Sequence, residues 1–526
     1  MPGLKSIALN GLVALSGVSA FAVQKPLNHD LDFDNDHSQL PYPPYPDVNK
    51  LPLVETEALQ DKITGERLLK RAKHLFRIAR RSEEEHGRPT RVIGSVGHSS
   101  TIAYIYASLQ SFRHYYKMSS QPFSAVSGSV HEYRLVLDND VPKYASAMSL
   151  TPPTKDKQPV NGNLILVENE GCDAKDYPKE VSGNIAFIKR GTCTFGTKSE
   201  LAGKAGAIAA VVYNYESGPV AGTLGTPTPD HVATFGLAGS EATKYIEKLA
   251  AGKAISATAY IDSVVDIIET TNVIAQTRGG DQDNCVMLGG HSDSVGEGPG
   301  INDDGSGTLS LIEVAVALTN FKVNNCVRFA WWSAEEEGLL GSDHYVAALS
   351  AEENKKIRLF MDYDMLASPN FAYQVYDARD NVNPVGSQAL RDLYVDWYTE
   401  HGLNYTFIPF DGRSDYDGFI RHGIPAGGIA TGAEGIKTES EAAAFGGEAG
   451  VPYDVCYHSL CDNIENLNVA AWETNTKLVA HSVAKYAVSF EGFPERTLDN
   501  TINLASVDSK DSYKKNTKYH GSKLYI

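Results

Sequence analysis

The chain has 526 residues, of which 42% are hydrophobic, 9% aromatic and 21% charged. That balance excludes a wholly disordered chain and a polytopic membrane protein. Lys and Arg number 47 against 65 Asp and Glu, a formal net charge of −18, which argues against nucleic acid and against an anionic membrane surface as partners.

The first 22 residues, MPGLKSIALNGLVALSGVSAFA, set one lysine before an apolar run that ends in small residues. This is the form of a secretory signal peptide, and Gly11 and Gly17 interrupt a run already short for a membrane span. Export is expected, to the medium or to the vacuole. Residues 23–60 read as a leader or propeptide: the acidic DFDNDH is followed by LPYPPYPD, with no hydrophobic periodicity.

Residues 61–130 open the first folded part. Leu68, Ala72, Leu75, Phe76 and Ala79 share one face and predict a helix over 65–82. A second helix is predicted over 99–113, and His98 just before it reads as structural. Over 131–263 the texture changes. Short apolar runs at 164–167, 185–188 and 208–213 alternate with Gly- and Pro-rich turns and predict a small mainly-β domain. The stretch GNIAFIKRGTCTFGTKSELAGKAGAIAAVVYN resembles the protease-associated domain: a strand, the RGTC-x-F turn, a helix bearing Lys198 and the AGA-x-A strand. The resemblance implies an insert that supplies no catalytic group.

Residues 264–492 have an α/β texture, with buried strands predicted at 285–288, 326–331 and 357–361 and a helix from about Gly305. Strands alternating with helices predict a mostly parallel twisted sheet flanked by helices. The tail over 493–526 is polar and basic. Six cysteines permit three disulfides among about 15 pairings; proximity favours Cys456 with Cys461, and the rest stay open. Asn404-Tyr405-Thr406 makes Asn404 a candidate glycosylation site.

In such sheets ligands gather beyond the carboxyl ends of the strands. The predicted strand ends carry His291, Asp293 and Asp303, then Glu335-Glu336-Glu337, then Asp364; His458 lies between Cys456 and Cys461. Imidazole with carboxylate suits zinc, and this set offers two ions a histidine and a carboxylate each, with one carboxylate left to bridge.

The ordered motifs GGHSDS, GPGINDDGSG, WWSAEEEGLLGS, YDMLASPN and CYHSLCD resemble the M28 family of dizinc aminopeptidases with an inserted protease-associated domain. The resemblance implies Asp303 as the bridging ligand, His291 and Asp364 completing one zinc site and Glu336 and His458 the other. Gly338 sets the register that makes Glu335, not Glu336, the general base. Asp293 would orient His291, Tyr457 would donate to the tetrahedral intermediate, and Arg413 in GRSDYDGF would lie near the substrate. The implied reaction is attack of a metal-bridged hydroxide on the first peptide bond of a peptide with a free N-terminus, favouring leucine and other apolar residues. A monomer with two Zn2+ per chain is expected. A carboxypeptidase and a single-zinc glutaminyl cyclase are the alternatives on the same fold.

Overall fold

The computed structural model describes residues 47–215, 218, 220 and 222–496. The expected signal peptide over 1–22, most of the leader over 23–60 and most of the tail over 493–526 lie outside the described residues. The chain joins the core before residue 61, because Val54 and Leu59 are already buried within it.

Helix α1 (Gly65–Ala79) buries Leu68, Ala72, Leu75, Ile78 and Ala79 at helical spacing, and the Thr64 hydroxyl caps it by accepting from Arg67 N. One 3-10 turn, Arg80–Ser82, continues it. Helix α2 (Val96–Leu109) starts three residues before the predicted position, because Ser95 Oγ accepts the His98 N–H at 3.0 Å and fixes the first turn there.

Strand β1 (Tyr116–Leu137) leads into the inserted lobe. There Val160–Leu166, Ile185–Lys189, Ala209–Tyr213 and Thr234–Leu237 lie side by side in parallel. Parallel neighbours need a crossover, and helix α3 (Phe195–Lys204) supplies one. With a further helix at Gly239–Ala250 leading on to the next strand, the lobe holds helices as well as strands. Strand β2 (Ser256–Thr277) returns antiparallel to β1 along nearly its whole length. The expected boundaries near 130 and 263 fall inside this ribbon, where Val130 pairs with Ser263 and the register shifts before Glu132. The lobe is therefore joined by two continuous strands.

The rest of the fold is built on the strands β3 (Asp281–His291), β4 (Asn325–Trp332), β5 (Ile357–Tyr363) and β6 (Ala426–Ala430), with helix α4 (Gly305–Leu318) between β3 and β4. β6, β5, β3 and β4 are successive parallel neighbours, and β2 closes onto β4 antiparallel. Side chains alternate between the faces. Val286, Leu288, Val327 and Phe329 pack under α1, α2, α4 and helix α5 (Val469–Val488). Met287, Ala330, Trp332 and Phe360 face the other way, where Phe360 stacks on Phe419 with centroids 3.7 Å apart.

The six cysteines pair as Cys172–Cys193, Cys285–Cys326 and Cys456–Cys461. Asn404 is exposed, and its amide donates to Ala444 O at 2.8 Å. Among the described residues no helix is long and apolar enough to cross a membrane.

Candidate metal centre

Three strand ends and one cross-linked loop converge. His291 is the last residue of β3, Asp364 follows β5, and Glu335 and Glu336 lie in the turn after β4. That turn needs Ala334 at φ +62° and Gly338 at φ +111°. The left-handed region is open to glycine at little cost, which is why Gly338 suits the turn. His458 comes from the loop closed by Cys456–Cys461.

Asp303 sits at the centre. Its Oδ1 lies 3.1 Å from His291 Nε2 and its Oδ2 lies 3.2 Å from His458 Nε2. His291 Nε2 is also 3.8 Å from Asp364 Oδ1, and His458 Nε2 is 3.1 Å from Glu336 Oε2. The two oxygens of one carboxylate thus face two histidine–carboxylate pairs. Glu335 is buried beside them, its Oε2 3.9 Å from His291 Nε2.

Burial opposes ionisation of Asp303, but the hydrogen bonds and charge of both histidines outweigh it and hold the carboxyl well below its ordinary range. Glu336 goes the other way: burial and the Asp303 charge, opposed by His458, push it up to about 7. So many buried acids call for cations. Glu336 Oε1 and Asp364 Oδ1 are buried with no hydrogen-bond partner. Unpaired carboxylate oxygens beside imidazole nitrogens are a donor set that fits zinc. Ligand atoms of His291, Asp303 and Glu336 lie within 4.8 Å of one another.

Asp304 also lies close enough to contribute, but its oxygens are committed. Oδ2 accepts His291 N at 3.1 Å, and Oδ1 accepts Gly307 N at 2.8 Å and Met365 N at 3.1 Å. It caps α4 and ties the ends of two strands, β3 and β5, to it. An acid directly before a helix was its visible signal.

Asp293 lies 3.7 Å from His291 Nδ1, beyond hydrogen-bond length. Its oxygens face the backbone N–H groups of Glu335 and Glu336, at 3.4 and 3.3 Å. It orders the glutamate turn as well as flanking the histidine. Glu337 turns away and accepts from Ser127 Oγ at 3.3 Å. Tyr457 stacks on His458, centroids 3.8 Å apart. Arg413 Nη2 donates to Glu434 Oε1 at 2.8 Å.

Several supports are not marked in the sequence. The buried Arg91 guanidinium donates to backbone carbonyls only: Pro299 at 2.9 Å, Gly300 at 2.5 Å, Asp303 at 3.4 Å, and Ser292. It holds the Gly-rich loop that delivers Asp303. His98, read as structural, is buried under the site with Nε2 3.1 Å from Ser292 Oγ. Ser414 Oγ donates to Asp364 Oδ2 at 2.8 Å.

The model of peptidase family M28 matches residues 272–483 and that of the PA domain residues 160–245. Aminopeptidase Y of Saccharomyces cerevisiae is 48% identical over 96% of this chain and 94% of its own. Leucine aminopeptidase 2 of Arthroderma otae is 44% identical over 85% of this chain and 88% of its own. Among solved structures, an aminopeptidase from Aneurinibacillus sp. strain AM-1 superposes with a TM-score of 0.65 at 26% identity, covering 85% of this chain and 99% of that one. The chain belongs to peptidase family M28, with a PA domain inserted ahead of its metal-site strands.

Proposed function

We propose that this protein is a dizinc aminopeptidase that removes apolar residues, leucine among them, from the free N-terminus of peptides. The observation that carries this reading is the division of Asp303 between two histidine–carboxylate pairs. His291 and Asp364 would hold one ion, Glu336 and His458 the other, with Asp303 shared. Zinc, when bound, supplies Lewis-acid polarisation of the scissile carbonyl and acidifies water.

The chain's own residues do the rest. Glu335 takes a proton from the attacking water and delivers it to the leaving amine. Tyr457, held against His458 by stacking, donates to the oxygen on which negative charge develops. The carboxylates around the site meet the substrate's α-amino group, which confines cleavage to the first bond. A carboxypeptidase would need a free cation for the substrate carboxylate; Arg413 is already neutralised by Glu434. The three disulfides and the first 22 residues support an oxidising destination, outside the cell or in the vacuole.

The test is amino-acid release from a mixed peptide set, half of it acetylated at the N-terminus. Unblocked peptides should shorten one residue at a time, chelation should stop release, and added zinc should restore it. Cleavage of the acetylated peptides would overturn the assignment.

A further inference from the structure

The inserted lobe carries a second chemical grouping, far in sequence from the metal ligands. Cys172 and Cys193 form a disulfide, and Lys198, in the first turn of α3, is fully buried with Nζ 3.5 Å from Cys172 Sγ and 3.4 Å from Cys193 Sγ. Nζ also donates to the carbonyl oxygen of Glu170. The Glu170 carboxylate is turned to Thr192, accepting from N and Oγ1 at 2.7 Å each. The Cys193 N–H points at Cys172 Sγ, 3.3 Å away.

A buried ammonium against a neutral disulfide is poorly compensated. Burial lowers Lys198 to about 8. A thiolate at the same place would be a far better partner, because nearby cations stabilise the thiolate form of cysteine. Opening the bond creates such a partner, and Cys172 is the sulfur that also has an N–H directed at it. Both cysteines are half-buried, so a small thiol can approach.

We propose that Cys172–Cys193 is a thiol-exchange site at which a small-molecule monothiol becomes attached to Cys193. The incoming thiol gives its proton to solvent and attacks Cys193 Sγ as the thiolate. The Cys172–Cys193 bond breaks as the new sulfur–sulfur bond forms. Cys172 leaves with the electron pair, held by the Lys198 ammonium and the Cys193 N–H. One disulfide replaces another, with no further oxidant or reductant.

The other two disulfides are internal controls. Cys285 and Cys326 are completely buried. Cys461 is exposed, so access alone would open Cys456–Cys461 first. The experiment treats the folded, full-length enzyme with reduced glutathione, quenches with N-ethylmaleimide at intervals and maps the labelled peptides by mass. The expected first product carries glutathione on Cys193 and maleimide on Cys172. Lys198→Gln should slow that product about tenfold relative to opening of Cys456–Cys461, through a poorer leaving thiolate, and Lys198→Arg should keep most of the rate. Prior opening of Cys456–Cys461, glutathione on Cys172, or an unchanged rate in Lys198→Gln would each overturn the proposal. If Lys198→Gln does not fold, the order and position of labelling in the wild-type protein still decide it.

Discussion

Asp462 accepts the backbone N–H of Asp303 through Oδ2 at 3.0 Å. The residue after Cys461 thereby anchors the residue whose carboxylate faces both histidines. Its Oδ1 accepts Asn302 N at 2.9 Å and Asn466 Nδ2 at 3.1 Å, while burial and the nearby Asp454 push its carboxyl up to about 8. Asp462→Asn turns one acceptor into a donor facing an N–H group. Supports behind metal ligands typically contribute about 10–100-fold in affinity. A loss of zinc affinity in that range is expected, read by competition with a chromophoric chelator; unchanged affinity would show that the loop does not position Asp303.

The shared carboxylate predicts a pattern of metal loss. Asp303→Asn should lower the content of both ions, because each histidine–carboxylate pair loses its third ligand. Glu336→Gln and Asp364→Asn should each weaken one ion and largely spare the other. Elemental analysis after gel filtration at limiting zinc distinguishes these cases. Two ions retained in Asp303→Asn would contradict the bridging role.

Glu335 is buried beside the ligands, and the Asp293 carboxylate faces its backbone N–H. Glu335→Gln keeps volume and shape but cannot take a proton. Zinc content should stay near wild type while kcat falls by about 10²–10⁴-fold, the usual contribution of a general base. Near-normal kcat at full metal occupancy would remove the role.

His291, Glu336 and Asp364 were legible in the sequence because each stands at or just after the end of a strand that reads as a continuous apolar run. Asp303 was legible through its Gly-rich loop, and His458 through two cysteines five residues apart. Arg91 was not, because its partners are backbone carbonyls some 200 positions away, and a carbonyl leaves no mark on residue type. Asp293 was read only as a partner of His291, since backbone N–H groups as acceptor targets are equally silent. The lobe boundaries were blurred for a related reason: β1 and β2 run through them without a turn, and turns are what composition reveals.

The Arg91 network is testable by itself. Arg91→Met fills similar space and leaves the carbonyls of Ser292, Pro299 and Asp303 without this donor, while Gly300 O keeps the Gly305 N–H at 3.0 Å. Each unsatisfied buried group costs about 1–3 kcal/mol, so a melting-temperature drop of several degrees is expected, larger for the metal-free protein than for the zinc-loaded one. Arg91→Lys can reach only part of the set and should be intermediate. Wild-type melting in Arg91→Met would show that the loop is held by other contacts.

A final expectation concerns acid. His481 on α5 is held down to about 4, first by burial and then by the positive charge of Lys485. In the unfolded chain an ordinary histidine takes up its proton near pH 6.5. Between these values the unfolded state binds the extra proton and the folded state does not, so stability falls as pH drops from about 6.5 to about 4 and falls no further on this account below that. His481→Leu removes the titration while keeping the packing. Zinc release in acid lowers the stability of both proteins, so the informative quantity is the difference between them. Melting temperatures should be similar at pH 7 and diverge by a few degrees at pH 4.5, with the variant higher. If the two curves stay parallel over this range, His481 is not a source of the acid sensitivity.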